Sequence, residues 1–139
     1  MKTLITSENI AKLPVHDADF HSIRIDESDG GDVTLIIEIE IDPEESLEAL
    51  TDIGVITRRI RLHFVGCWQV ISNLLSYQSR REQVFDWQVL LDSEQLKLFR
   101  ERCGSTTMPP LHHKFEFSGG SILEIIAKDV LIEGTSNVS

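Results

Sequence analysis

The residues best suited to metal chemistry lie in one short segment near the N-terminus. Residues 16–21, HDADFH, carry two imidazoles and two carboxylates, groups that bind divalent metal ions. On an extended chain Asp17, Asp19 and His21 share one face and His16 points to the other, so these three could form a chelate. Because the same face becomes apolar further along the strand, we favour hydrogen bonding at the start of the strand instead. We expect no bound metal ion and no cofactor.

The remaining histidines and cysteines do not form a recognisable site. His112 and His113 are adjacent, so on a strand they face opposite ways, and His113 falls on an apolar face typical of a core histidine. His63 stands beside arginines and is expected at the surface. Cys67 and Cys103 are far apart and form no CxxC pair, so we expect reduced thiols. No GxGxxG, GxSxG or HExxH motif occurs, and we predict no catalytic residue.

The charge of the chain is strongly asymmetric. The formal net charge is −10, and residues 17–52 hold thirteen acidic residues against a single basic one, Arg24. Nucleic acids and anionic membranes are poor partners for such a surface, because phosphate contacts need Lys and Arg. A basic protein partner is compatible with it. The alternative is a solvated face that only keeps the protein soluble.

One part of this acidic region is the predicted binding surface. On the strand VTLIIEIEI two glutamates point away from the apolar face, and a short helix is expected to add three more. The predicted partner-binding residues are Glu38, Glu40, Glu44, Glu45 and Glu48. A rival interpretation is neutralisation within the fold, since Arg59 and Arg61 lie on a strand that could neighbour Glu38 and Glu40.

The elements that must position these residues are mostly strands. Alternation of apolar and polar residues predicts six strands, over residues 20–26, 33–41, 56–65, 84–91, 111–117 and 122–132. Two hairpins are expected, turning at Gly30-Gly31 and at Gly119-Gly120. Short helices are predicted over 42–52 and 93–102, while residues 66–82 stay ambiguous. The fold class is mainly β (α+β), with an antiparallel sheet curled into a sandwich or partial barrel and about two short helices.

The length and hydropathy predict one cytoplasmic domain over residues 1–139. Residues 1–14 are expected to be a weakly ordered arm and residues 134–139 a flexible tail. The chain shows neither a secretion signal nor an apolar run of the roughly 20 residues that a membrane helix needs. We therefore expect no membrane association, and a homodimer remains an open alternative.

The order of these segments resembles that of small bacterial domains of uncharacterised function. Such domains open with a His-Asp-small sequence before the first strand and carry a later strand ending in Phe-x-Gly. Here those positions are His16, Asp17, Ala18, Phe64 and Gly66. Some of these domains are similar to immunity proteins of bacterial toxin systems, so the resemblance implies an interaction domain and, as partner, a toxin. It implies no catalytic residues.

The leading hypothesis is thus a non-catalytic binding domain whose acidic surface meets a basic protein partner, of the immunity type. The alternative is a small-ligand or metal-binding domain, and a hydrolase is a third option. An interaction module needs an exposed charged surface, whereas a ligand domain needs a concave apolar site with convergent polar groups.

Overall fold

A computed structural model describes residues 2–27, 31–73, 83–103 and 110–135. Strands account for 55% of this part and helices for 17%. The elements are β1 (Thr3–Ile5), α1 (Ser7–Lys12), β2 (Ala18–Glu27), β3 (Val33–Glu40), α2 (Glu48–Thr51), β4 (Arg59–Asn73), β5 (Gln83–Leu90), α3 (Glu94–Cys103), β6 (Leu111–Phe117) and β7 (Ile122–Gly134).

Six antiparallel strands close into a barrel. Their order is β7-β4-β3-β2-β5-β6, and a β6–β7 pairing completes the circle. The second edge of β7 is divided, since residues 122–127 pair with β6 and residues 130–132 pair with β1. The prediction of a mainly β, antiparallel fold is confirmed. The sheet is a closed barrel, neither a sandwich nor a partial barrel. Closure was not predicted, because the alternation within each strand does not reveal whether the last strand pairs with the earlier ones.

Both predicted hairpins form, and the predicted apolar faces of β3 and of the first part of β4 point into the barrel. The faces of β2 and β5 are interrupted by β-bulges, and Ile25 and Leu91 are exposed. On β3 the side chains of Leu35, Ile37 and Ile39 are fully buried. They lie opposite the equally buried Phe64, Leu62 and Ile60 of β4. Burial of this kind stabilises the fold by about 25 cal/mol per Å² of apolar surface removed from water. The outward residues of β3 and β4 are consequently left to form the charged face described below.

Strand β4 is longer than predicted and bends at Gly66. Its first part, residues 59–65, pairs with β3, and nearly its whole length to residue 73 pairs with β7. Gly66 has a φ of 65°, and a register shift follows between Cys67 and Gln69. A β-bulge of this kind bends a strand and increases its twist. The ambiguous segment 66–82 is therefore strand up to residue 73, and residues 74–82 lie outside the described part.

The N-terminal segment is a structured part of the fold, where we expected a weakly ordered arm. It forms β1 and α1, and the buried side chains of Ile5, Ile10 and Leu13 join the barrel core. Thr6 caps α1 by accepting a hydrogen bond from the backbone N–H of Asn9 at 3.3 Å. These three residues are among the possible docking points that the sequence indicates, but their weak periodicity does not reveal the strand and the helix that carry them. At the other end, Thr135 is described and the predicted tail beyond it is not.

The helix predicted over 42–52 is mostly a turn. Asp42 does accept a hydrogen bond from the backbone N–H of Glu44 at 3.0 Å, but this stabilises a turn, and α2 begins only at Glu48. The predicted helix after Ser93 is present as α3. It packs on the outside of the barrel, where the rings of Phe99 and Trp68 meet edge to face at 5.2 Å. The described chain thus has three helices, one more than predicted.

Candidate functional site

The predicted acidic surface is divided by the structure, and Glu38 on β3 is neutralised by arginines. The side chain of Glu38 is only 13% exposed. It accepts hydrogen bonds from the Nε atoms of Arg59 at 2.6 Å and Arg61 at 2.9 Å. Burial alone would raise the pKa of Glu38, but the hydrogen bonds from Arg61 and Arg59 outweigh it and lower that pKa. Glu38 therefore has two cationic partners within the fold.

The same charge pairing continues across the outer face of β4 to β7. Arg61 lies 3.7 Å from Glu133, and the Nε2 of His63 lies 2.8 Å from the same carboxylate. His63 is buried, which corrects the prediction of a surface residue, because Glu133 and the neighbouring strands cover it. Burial would raise the pKa of Glu133, yet the hydrogen bond with His63 and the charges of Lys2 and Arg61 lower it. This face of the barrel is self-neutralising.

Glu40 lies between the paired and the unpaired acidic residues. Its side chain is 41% exposed, and the nearest histidine nitrogen, His21 Nε2, is 3.6 Å away. We expected His21 on the apolar face with Ile23. A β-bulge between Phe20 and Ser22 instead brings its side chain, which is only 9% exposed, towards Glu40. Glu40 thus keeps a large part of its carboxylate accessible to solvent.

The candidate metal ligands Asp17, Asp19 and His21 each have a different neighbour. Asp17 lies 3.6 Å from His16, Asp19 accepts a hydrogen bond from the Nε2 of Gln83 at 3.3 Å, and His21 approaches Glu40. Among the residues that the structure describes, no three His, Cys, Asp or Glu side chains are grouped closely enough to hold a metal ion. The chelate that the spacing allowed is not formed.

Asp17 and Ala18 instead have a backbone role at the start of β2. Asp17 adopts a left-handed conformation with φ of 63°, and its N–H donates to the carbonyl oxygen of Val84 at 2.7 Å. Asp is one of the few residues other than Gly that tolerate this conformation. Ala18 is fully buried next to it. The His-Asp-small sequence can therefore be explained by the geometry of the barrel seam.

The acidic residues around α2 are the ones that stay unpaired. The carboxylates of Glu44, Glu45 and Glu48 make no ion pair or hydrogen bond with the part of the chain that the structure describes. Glu45 and Glu48, together with Asp52, border a groove of about 320 Å³. Its lining residues are Lys12, Pro14, Glu45, Ser46, Glu48, Ala49 and Asp52. Three carboxylates and a single ammonium group thus surround a small apolar floor.

A second polar cluster lies under α3, and the sequence did not reveal it. His112 on β6 is 1% exposed, and it joins Ser93, which precedes α3, to Glu124 on β7. Its Nδ1 is 2.7 Å from the Oγ of Ser93, and its Nε2 is 3.0 Å from an oxygen of Glu124. Ser93 also caps α3, because its Oγ accepts the N–H of Leu96 at 3.2 Å. The sequence offered one signal for this cluster, namely that His112 and Glu124 occupy outward-facing positions on two strands that form a hairpin.

His113 is enclosed inside the barrel, as its apolar strand face predicted. It is 0% exposed, and its Nδ1 accepts a hydrogen bond from the Nε1 of Trp87 at 3.2 Å. Burial, with a smaller effect of the nearby His112, lowers its pKa to about 3. The ring is therefore neutral at physiological pH, and its Nε2 has no hydrogen-bond partner within the described residues.

None of the helices in the described ranges is long and apolar enough to cross a membrane. Compared with known proteins, the chain matches no family model, and no curated protein sequence matches it significantly.

Proposed function

We propose that this chain is a binding domain whose acidic residues around α2 engage a basic protein partner. We call these residues the α2 acidic surface: Glu44, Glu45, Glu48 and Asp52. The observation that supports this choice is the contrast in charge pairing. Glu38 is held by two arginines, whereas the carboxylates of Glu44, Glu45 and Glu48 have no charged or hydrogen-bonding partner in the described chain. In the described chain Arg58 donates to the backbone carbonyl oxygens of Asp42 and Glu45, at 2.7 and 3.0 Å, and not to these carboxylates.

The density of unpaired negative charges makes the α2 acidic surface suited to bind the basic side chains of a protein partner. Mutual repulsion between carboxylates destabilises the compact state, and a basic partner would relieve it while being attracted over a long range. The groove adds a short-range feature, because Pro14 and Ala49 can contact the aliphatic stem of a lysine or arginine. The resemblance to immunity proteins makes a bacterial toxin in the cytoplasm a suitable partner of this class.

A charge-matched pair of variants tests the proposal. The first carries Glu44→Gln, Glu45→Gln and Glu48→Gln. The control carries Asp92→Asn, Glu94→Gln and Glu101→Gln, three exposed carboxylates on and beside α3. A partner is isolated by pull-down, and its affinity for each variant is measured at low and at physiological salt. We expect the first variant to bind at least about tenfold more weakly at low salt, chiefly through a slower on-rate, and the control to bind like wild type.

Glu38→Gln provides the complementary variant. Because two arginines would lose their anionic partner, we expect a lower melting temperature and an unchanged affinity. If the α2 variant and its control bind equally well, the acidic surface is only solvated and the proposal is wrong. Weaker binding by Glu38→Gln at an unchanged melting temperature would move the binding site to β3.

A further inference from the structure

The cluster under α3 has the arrangement of an activated nucleophile. We propose that Ser93, His112 and Glu124 form a hydrolytic centre for small acyl esters, with Ser93 as nucleophile, His112 as general base and Glu124 as the residue that orients the base. Nucleophile and base are 2.7 Å apart, and base and carboxylate are 3.0 Å apart. Both distances fall in the range that such catalytic groups need. The centre shares no residue with the α2 acidic surface.

The hydrogen-bond directions follow from the chemistry of the three groups. An ionised carboxylate can only accept, so the Nε2 of His112 donates its hydrogen to Glu124. In the neutral imidazole the Nδ1 is then the acceptor, and the Ser93 hydroxyl donates to it. The nearly complete burial of His112 leaves little room for water to compete for either nitrogen. The serine hydroxyl is therefore held in a geometry from which its proton can be removed.

The surroundings of Ser93 provide access and a place for negative charge. Ser93 is partly exposed, and the nearby Leu91 is exposed and can contact an apolar acyl group. The backbone N–H groups of Glu94 and Gln95, in the first turn of the ten-residue helix α3, make no hydrogen bond within the described residues. Free N–H groups beside a nucleophile can stabilise the oxyanion of a tetrahedral intermediate.

The reaction uses only the ester, water and these side chains. The Ser93 Oγ attacks the carbonyl carbon while its proton moves to the Nδ1 of His112. When the intermediate collapses, the ester C–O bond breaks and the alkoxide leaves with that proton, giving an acyl-serine and an alcohol. Water then loses a proton to the Nδ1 and attacks the acyl carbon, after which the Oγ leaves and recovers the proton. Glu124 stays ionised throughout and stabilises the imidazolium.

The same contacts could serve only to fix α3 on the barrel, and chemical reactivity distinguishes the two roles. Ser93→Asn removes the nucleophile and keeps a capping side chain, because Asn is as good a helix cap as Ser. Glu124→Gln keeps the shape of the orienting residue and removes its charge. Ser46→Asn is the matched control, since the Oγ of Ser46 also accepts a backbone N–H near a helix start, that of Glu48 at 3.2 Å. No histidine of the described chain is hydrogen-bonded to it.

The full chain is treated with a fluorophosphonate probe and assayed for hydrolysis of p-nitrophenyl butyrate. We expect one phosphonyl group per chain, located on Ser93 by peptide mapping, with ester hydrolysis that the probe abolishes. Ser93→Asn should lose labelling and hydrolysis at an unchanged melting temperature, Glu124→Gln should react roughly a hundredfold more slowly, and Ser46→Asn should behave like wild type. Labelling and hydrolysis of wild type no faster than those of Ser93→Asn would overturn the proposal.

A thiol replacement gives a readout that does not depend on the choice of ester. In Ser93→Cys, the neighbouring His112 should promote the thiolate, so alkylation by iodoacetamide at neutral pH should exceed that of wild type and of Ser46→Cys by about tenfold or more. Adding Glu124→Gln should reduce the rate. Equal alkylation of the Cys variants at positions 93 and 46 would show that His112 does not activate the site.

Discussion

The two adjacent histidines of β6 show how strand geometry gives neighbouring residues opposite roles. His112 lies outside the barrel, where Ser93 and Glu124 satisfy both of its ring nitrogens. His113 lies inside, where Trp87 donates to its Nδ1 and the ring of Phe64 meets its imidazole edge to face at a centroid distance of 5.0 Å. The outer histidine thus bridges Ser93 and Glu124, whereas the inner one is held neutral by burial.

The buried His113 makes the free energy of unfolding decrease as the pH falls. Its pKa is about 3 in the fold, against an ordinary value of 6.5. Because the unfolded chain binds the proton first, the stabilisation is complete above pH 6.5 and is lost progressively as the pH falls towards 3. We expect His113→Leu to remove this part of the pH dependence. At neutral pH it should cost about 1–3 kcal/mol, because the Trp87 N–H loses its acceptor.

Urea unfolding of wild type and His113→Leu at neutral pH and at steps down to about pH 4 measures this effect. Glu38→Gln is the control, because the pKa of Glu38 is lowered from 4.5 and its contribution is lost only below that pH. Parallel curves for wild type and His113→Leu between neutral pH and pH 4.5 would contradict the prediction.

Asp17 permits a second prediction on a single residue. Its φ of 63° is strained for side chains that branch at Cβ and free of strain for Gly. We expect Asp17→Gly to change the free energy of unfolding by less than about 1 kcal/mol, and Asp17→Val to lower it by about 1–3 kcal/mol. Chemical denaturation of both variants gives the comparison. Equal losses would mean that the carboxylate, and not the backbone conformation, makes this position important.

At the scale of elements, β4 connects the charged face to the cluster under α3. Its first part positions Arg59 and Arg61 beside Glu38, and its part beyond the bend presents Trp68 to α3. The bend lies at Gly66, which has a φ of 65°. A Cβ at this position would lie 3.1 Å from the Cβ of Lys128 on β7. Both the positive φ and the close approach of the neighbouring strand favour glycine at this position.

Gly66→Ala should therefore destabilise the barrel more than an alanine at an open turn does. Gly31 is the matched control, because it also has a positive φ, of 85°, and a Cβ there would meet no atom within 4 Å. We expect a loss of about 1 kcal/mol for Gly31→Ala from backbone strain alone, and about 1–3 kcal/mol more for Gly66→Ala. Equal melting temperatures for the two variants would show that β7 accommodates the extra methyl group.

The elements that could be predicted are those determined by neighbours in sequence. The alternation in β3 and the glycine turns give the hairpins and the inward faces, because a strand has a strict period of two. The length of β4, the presence of β1 and α1, and the shortness of α2 depend on distant partners and were missed. The same holds for the sites, since Arg59 beside Glu38 follows from strand pairing, whereas Ser93, His112 and Glu124 meet only after the barrel closes and α3 packs on it.

For the whole molecule, the closure of the barrel is uneven. Strands β4 and β7 pair along almost their entire length. Within the described residues β2 meets β5 only at Ala18↔Val84 and Asp19↔Gln83, with one further bond from Asp17 N–H to the carbonyl of Val84. Opening free energies within a protein vary with local contact and hydrogen bonding. The β2–β5 seam is therefore expected to open before the β4–β7 ladder.

Hydrogen exchange measures this order directly. The amide of Asp17, which is hydrogen-bonded across the seam, should exchange faster than the amides that join β4 and β7, because a sub-global opening is sufficient to expose it.

A disulfide between Ala18→Cys and Val84→Cys would lock the seam, since both residues are fully buried and lie directly opposite each other. A disulfide there should stabilise the fold by about 2–4 kcal/mol and slow exchange at the seam towards the rate of the β4–β7 ladder. The reduced form of the same variant is the control for the two substitutions. If oxidation leaves the exchange of Asp17 unchanged, that amide is exposed by fraying of the segment before β2, and the barrel opens as a single cooperative unit.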